Sequence, residues 1–173
     1  MRFDRDSFFK FLVSRKCKID DYDGYIREVE GLYKRIREDE EDYFYALLFL
    51  VGRKYCVTLG DIRDFFGLEP DYILSLSRKL ARKYGIKYKW NVDACINRAV
   101  EYCGIKDENA EEVIRKFLSV FSSGRPDILI AFSVGFIYGC DTTGLFGTSL
   151  AALKYHFESL FGIKPQRKNR SVY

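Results

Sequence analysis

The chain has 173 residues and a formal net charge of +4, because 29 Lys and Arg residues outnumber 25 Asp and Glu residues. Hydrophobic residues make up 47% of the chain and aromatic residues 17%, which argues against a disordered or linker-like protein. The longest apolar runs, residues 43–51 and 128–137, are well short of the roughly 20 residues that a membrane span requires. The N-terminus shows no small-residue cleavage site, so we expect a soluble intracellular protein without a signal peptide.

Hydrophobic residues recur at helical spacing along nearly the whole chain, and no segment shows a convincing strand pattern. Five helices are predicted in the first half, at residues 4–17, 22–38, 42–54, 58–67 and 70–84. The third is apolar almost all round, which is typical of a helix at the centre of a domain. Thr58 and Asp61 resemble a capping box at the start of the fourth helix, and Gly67 ends it.

A second set of five helices follows a short basic connector. We predict a first domain at residues 1–86, the connector at 87–90, a second domain at 91–163 and a flexible basic tail at 164–173. The second set is expected at residues 91–104, 107–121, 127–139, 145–147 and 149–161, and Asp107 is expected to cap its second helix. Its fourth helix is much shortened, since glycines near residue 144 weaken a helix by roughly 1 kcal/mol each relative to alanine.

The two sets of helices match each other as an internal repeat with a period near 85 residues. Cys103 lies 86 positions after Cys17, and Cys140 lies 84 positions after Cys56. Gly147 follows Gly67 by only 80 positions, because the second copy has lost residues before that point. We therefore predict an all-α fold of two five-helix bundles in tandem.

The cysteines and the histidine offer no recognisable chemical site. The five cysteines form no C-x-x-C pair, and the single histidine, His156, has no partner for a structural zinc site. Each cysteine lies in or beside an apolar helical stretch, so we expect buried, reduced thiols, although a disulfide that the sequence cannot assign stays possible. We expect no enzyme activity, no metal and no cofactor. The cysteines are Cys17, Cys56, Cys95, Cys103 and Cys140.

Two copies of a five-helix unit, each with a buried third helix and a short fourth helix, resemble the cyclin-like repeat. Within that superfamily, residues 46–54, 58–62 and 66–68 are similar to the third-to-fifth-helix pattern in the core of transcription factor IIB and archaeal transcription factor B. Gly124-Arg125-Pro126 is similar to the Gly-Arg-Ser-Pro type junction of the family's second repeat. The resemblance covers nearly the whole chain.

The resemblance implies a protein that binds TATA-binding protein, promoter DNA or their complex. In the family, the fourth and fifth helices of the second repeat read DNA beside the TATA element, and here the fourth helix is shortened. The cysteine spacing of the family's polymerase-recruiting zinc ribbon does not occur in this sequence, which implies a regulatory role. The expected location is cytoplasmic, at the nucleoid in an archaeal cell, or nuclear in a eukaryotic one.

Basic residues are the candidate contacts for DNA or for a protein partner. Cations opposite the apolar face of the fifth helix and in the connector lie close enough together to neutralise several phosphates. The alternative reading of that helix is an ordinary solvated face. The candidate residues are Arg78, Lys79, Arg82, Lys83, Lys87 and Lys89, with Lys164, Arg167 and Lys168 in the tail.

Two further interpretations stay open. A cyclin-like module that binds a protein and never touches nucleic acid would use a groove between helices of the first repeat, with Tyr43, Tyr55 or Tyr72 as anchors. DNA binding should weaken steeply with added salt, whereas an apolar groove should not, so salt dependence separates the two. An unrelated all-α protein of a virus or mobile element is the third interpretation.

Overall fold

The computed structural model describes residues 3–121 and 125–163. Over these residues the chain is all-α, as predicted, and none of these helices is both long and apolar enough to cross a membrane. A single 3-10 turn, Arg53–Tyr55, follows the third helix. The α-helices are α1 (Arg5–Ser14), α2 (Tyr22–Ile36), α3 (Glu41–Gly52), α4 (Leu59–Phe66), α5 (Pro70–Tyr84), α6 (Val92–Cys103), α7 (Ala110–Ser119), α8 (Pro126–Tyr138), α9 (Thr143–Phe146) and α10 (Leu150–Leu160).

Local sequence signals account for most helix ends. The Thr58 hydroxyl accepts a hydrogen bond from the Asp61 amide at 3.1 Å, and the Asp61 carboxylate accepts one from the Thr58 amide at 2.9 Å, which completes the predicted capping box of α4. Gly67 ends α4 with a φ of 73°, in the left-handed region that favours glycine. The predicted cap at Asp107 is wrong, because its carboxylate accepts a hydrogen bond from the Asn109 amide in a turn before α7.

The described residues form two hydrophobic cores, each around one mostly apolar helix. In the first half, α3 packs against α2, α4 and α5. In the second half, α8 packs against α6, α7, α9 and α10. The Trp90 side chain packs against both cores. The equivalence of the two halves as tandem cyclin-like repeats, and the domain boundaries, stay predictions.

Helices α4 and α9 join the two halves through glycines. A Cβ atom on Gly60 would lie 2.3 Å from the Gly144 carbonyl oxygen, and one on Gly147 would lie 2.5 Å from the Gly60 nitrogen. The Thr58 hydroxyl donates a hydrogen bond to the Leu145 carbonyl oxygen across the same contact. The two helices therefore touch backbone to backbone, at a distance that only glycine permits. The short α9, at four residues against eight in α4, is present as predicted.

A buried ion pair also crosses between the halves. Arg98 of α6 donates two hydrogen bonds to the Asp61 carboxylate, at 2.6 and 2.7 Å, and the two side chains are 2% and 0% exposed. The same guanidinium donates to the carbonyl oxygens of Cys56, at 2.6 Å, and Arg15, at 3.0 Å. These four bonds satisfy both charges, which a buried ion pair needs in order to be tolerated. Arg98 thereby fixes α6 against the ends of α1 and α4.

The expectation of reduced cysteines is wrong for four of the five. Cys56 and Cys95 form one disulfide, and Cys103 and Cys140 form another, whereas Cys17 is free and buried. Helix packing brings the Cα atoms of the two pairs to 5.1 and 6.0 Å, within the range that a disulfide requires. The partners are 39 and 37 residues apart in sequence, so only the tertiary arrangement identifies them.

Candidate nucleic-acid interface

Helix α5 turns its apolar face inward and its cations outward. Leu80 is fully buried in the first core, and the four cations predicted for the opposite face are exposed. Because residues four apart lie above one another on a helix, these cations form two edges. Arg78 and Arg82 lie along one edge. Lys79 and Lys83 lie along the other, which we call the lysine edge.

The lysine edge is tied to the neighbouring part of the first half. Lys79 donates a hydrogen bond from Nζ to the Tyr43 hydroxyl at 2.7 Å, and Lys83 donates one to Glu38 Oε1 at 2.9 Å. Tyr84 also donates its hydroxyl to Glu38 Oε1, at 2.8 Å. The hydrogen bond with Lys83 lowers the pKa of Glu38 and raises the pKa of Lys83. This edge therefore carries less unpaired positive charge than the sequence alone indicates.

The Arg78 edge opens onto a groove of about 480 Å³ at the junction of the two halves. We call it the arginine groove, after its charged residues Arg53, Arg78, Lys87 and Arg125. They come from four places: the turn after α3, helix α5, the connector and the residue before α8. The residues that line the groove include no Asp or Glu, and Arg82 lies in an adjoining recess with Arg78. Cations from both halves therefore converge on one opening.

Aromatic side chains hold Arg53 in place. Its guanidinium carbon lies 4.9 Å from the centre of the Phe49 ring and 5.2 Å from that of Trp90, both within cation–π range. Its Nη1 donates to the Tyr88 carbonyl oxygen at 3.4 Å, and its own carbonyl accepts from the Asn91 amide at 2.9 Å. The connector is thus fixed to the end of α3 through Arg53.

Arg125, the residue before α8, is the cation of the second half that lines the groove. It donates hydrogen bonds from Nε and Nη2 to the two carboxylate oxygens of Asp127, at 3.1 and 3.0 Å. Asp127 is 1% exposed and Arg125 is 25% exposed, so the carboxylate lies behind the guanidinium. Burial lowers the pKa of Arg53; the Asp127 charge opposes this shift, and the charges of Arg125 and Arg78 lower the pKa further.

The structure separates the predicted site residues into groups. Arg78, Arg82 and Lys87 lie at the arginine groove or its recess, while Lys89 is exposed on the connector but does not line the groove. The predicted tail contacts, Lys164, Arg167 and Lys168, lie outside the described residues. Sequence reasoning missed Arg53 and Arg125 as site residues, although both occur in the segments that carry the family resemblance.

The helix pair that the resemblance assigns to DNA reading has little positive charge. Helix α9 buries Leu145 and Phe146 and packs against α4. Helix α10 exposes the apolar side chains of Leu150 and Tyr155, and Lys154 is its single Lys or Arg residue. The cations of the candidate interface therefore lie in the first half and at the junction.

The tyrosines proposed as protein-binding anchors differ in their exposure to solvent. Tyr43 is 4% exposed, so its assignment as an anchor is wrong, whereas Tyr72 is 41% exposed and donates its hydroxyl to Asp42 at 2.8 Å. An apolar groove of about 440 Å³ lies instead in the second half, between α8 and α10. Phe136 and Leu150, 76% and 70% exposed, are among the side chains that line it.

Comparison with models of protein families, with curated proteins and with solved structures gives no significant match. Within residues 3–121 and 125–163, no group of three or more His, Cys, Asp or Glu side chains is placed to hold a metal ion. The charge and shape of the arginine groove, together with the sequence resemblance, are therefore the basis for a functional proposal.

Proposed function

We propose that the protein binds nucleic acid through the arginine groove and the adjoining edge of α5. The observation that carries this proposal is the convergence of Arg53, Arg78, Lys87 and Arg125 on a groove that no acidic residue lines. Contacts from arginine and lysine to phosphates supply most of the sequence-independent affinity of proteins for DNA. Arginine suits this role because its planar guanidinium can donate two parallel hydrogen bonds to one phosphate.

The resemblance to the transcription factor IIB and transcription factor B core supports a more specific target. We propose promoter DNA, alone or in complex with TATA-binding protein, as the ligand. The buried α9 and the nearly uncharged outer face of α10 favour contacts to the DNA backbone over reading of base edges. A regulatory role at the promoter is part of the proposal and is drawn from the sequence alone.

A pair of matched double variants tests DNA binding at the arginine groove. Arg78→Gln with Arg82→Gln removes two positive charges from the groove side of α5, and Lys79→Gln with Lys83→Gln removes two from the lysine edge. Measured by fluorescence anisotropy on a labelled duplex at low salt, the first variant should bind about tenfold more weakly than the wild type. The second should lose less affinity, since Lys83 is paired with Glu38 and Lys79 donates to the Tyr43 hydroxyl on the side away from the groove.

Two results would contradict this proposal. Absence of any duplex binding by the folded wild-type protein at low salt would remove nucleic-acid binding altogether. Equal losses in the two double variants would place the interface elsewhere, because both variants change the net charge by the same amount. Circular dichroism of each variant confirms that the helices are retained.

A separate experiment tests the proposal that the ligand is promoter DNA in complex with TATA-binding protein. Electrophoretic mobility shift with a preformed complex of TATA-binding protein and promoter DNA should give a slower-migrating band at a lower protein concentration than naked DNA of random sequence requires. Equal affinity for the two would leave nucleic-acid binding in place and remove TATA-binding protein as the partner.

A protein-binding module is the second candidate, and the apolar groove between α8 and α10 favours it. Exposed Phe136 and Leu150 offer an apolar surface of the kind that protein interfaces cover. Binding there should change little between about 50 and 200 mM salt, whereas binding of DNA should fall steeply. Substituting Phe136→Ser should weaken a protein complex and leave duplex binding unchanged.

A further inference from the structure

The arginine groove collects four cations from separate segments of the chain on one opening. The charges of Arg78 and Arg125 both act on Arg53, even though the three residues come from separate segments of the chain. Asp127, the carboxylate behind the groove, already accepts two hydrogen bonds from Arg125. The described residues that line the groove are four cations with no Asp or Glu, so its lining carries an excess of positive charge.

Arg53 is the fixed centre of this arrangement. Its guanidinium packs against the rings of both Phe49 and Trp90, which contact each other edge to face, so its position is restricted before any ligand arrives. Its Nε is buried and has no hydrogen-bond acceptor among the residues that the structure describes, and its bond to the Tyr88 carbonyl is long, at 3.4 Å. Because the Nε is enclosed, an anion in the groove would meet the Nη groups of Arg53, and a charge-assisted hydrogen bond there would offset part of the cost of burying the guanidinium.

We infer that the arginine groove is a site for a single phosphate group, held by Arg53, Arg78 and Lys87 with Arg125 at its far side. Tetrahedral phosphate oxygens can accept hydrogen bonds from several directions at once, which suits donors that arrive from four segments. Because these donors come from both halves and from the connector, the bound phosphate links the two halves electrostatically. The inference deepens the proposed function by naming one anchoring point on the surface, and its biological meaning rests on that proposal.

Inorganic phosphate is the probe that tests this site without nucleic acid. Isothermal titration and thermal unfolding of the full chain are compared in sodium phosphate and in sodium chloride at equal ionic strength. We expect phosphate to bind the wild type and to raise its melting temperature above the value in chloride. Arg78→Gln combined with Lys87→Gln should weaken phosphate binding about tenfold, and Lys79→Gln combined with Lys83→Gln should leave it unchanged.

A conservative variant distinguishes the contribution of the Arg53 hydrogen bonds from the contribution of its positive charge. Arg53→Lys keeps the positive charge but cannot donate two parallel hydrogen bonds, so phosphate affinity should fall about tenfold. The melting temperature of the Arg53→Lys variant in chloride shows whether the lysine side chain keeps the packing of Arg53 against the rings of Phe49 and Trp90. Arg78→Gln, at an exposed residue, keeps the test decisive if Arg53→Lys unfolds.

Competition with labelled duplex identifies the source of the phosphate. If phosphate displaces the duplex, the site binds the nucleic-acid backbone; if phosphate binds without displacing it, the site takes a free phosphorylated ligand. If the protein binds the duplex, but phosphate neither binds nor raises the melting temperature above the value in chloride, the phosphate site is wrong and the proposed function stands. If the protein binds phosphate but not the duplex, the proposed function is wrong and the phosphate site in the arginine groove stands.

Discussion

The contacts of Arg98 are the most consequential of any single residue for the fold. It meets the Asp61 carboxylate where both side chains are excluded from water, and it donates to two carbonyls of the first half. Removal of one member of a buried pair leaves the other charge without compensation, which costs far more than the pair contributes in total. This guanidinium therefore adds a buried polar link between α6 and the first half to the covalent link of the Cys56–Cys95 disulfide.

Arg98→Leu should lower the free energy of unfolding by about 3 kcal/mol, because the buried Asp61 carboxylate would keep only the longer ion pair with Arg15, whose Nε lies 3.3 Å from Asp61 Oδ1. Urea denaturation followed by circular dichroism, without reductant, measures the loss. The control is Arg82→Leu at an exposed position of α5, which should change stability by less than about 0.5 kcal/mol. A loss below about 1 kcal/mol for Arg98→Leu would show that the pair is not buried as described.

The thiol count gives a second prediction at the residue scale. In denaturant without reductant, one of the five cysteines should react with a maleimide, and all five should react after reduction. In the native protein at pH 8, Cys17 should react slowly, since burial raises the pKa of its thiol to about 12. Mass spectrometry of the labelled protein measures both the number of reactive thiols in denaturant and the rate at which Cys17 reacts in the native protein. Two or more reactive thiols before reduction would show that a disulfide is missing.

Among the helices, the contact of α4 with α9 has the least tolerance for added volume. Gly60→Ala would place a methyl group on backbone atoms that cannot retreat, and we expect a loss of about 1–3 kcal/mol in unfolding free energy. Gly31→Ala in α2 is the matched control, because a Cβ there meets nothing within 4 Å. This control should gain roughly 0.5–1 kcal/mol from better helix propensity. Equal effects of the two substitutions, measured by urea denaturation, would argue against the close contact.

Helix α5 shows how far its sequence predicts the site. Its periodicity correctly places Arg78, Lys79, Arg82 and Lys83 on the outer face. Periodicity does not show that Glu38, 45 residues before Lys83, pairs with Lys83 on one edge of that face. The sequence therefore predicts which residues are exposed. It does not predict the ion pair of Lys83 with Glu38, because that pair depends on how α5 packs against the loop after α2.

Across the whole molecule, helix positions follow from local signals, whereas the links between the halves do not. Capping residues, glycines and apolar spacing act over a few residues, so ten helices can be located from the sequence. The Cys56–Cys95 disulfide, the Arg98–Asp61 pair and the meeting of Arg53 with Arg125 join segments 37 or more residues apart. Each depends on packing, and no local pattern distinguishes these residues from ordinary core or surface positions.

The salt dependence of duplex binding tests the central claim most directly, since it counts the phosphates that the protein neutralises. If the groove cations share one backbone phosphate and Arg82 contacts a second, the logarithm of the binding constant should fall with the logarithm of salt concentration with a slope of about −2. The same titration on Arg78→Gln with Arg82→Gln should give a slope nearer to zero by about 1, because the phosphate at Arg82 is lost and Arg53 and Lys87 remain in the groove. A wild-type slope near zero, or a slope that the double variant leaves unchanged, would contradict nucleic-acid binding at the arginine groove.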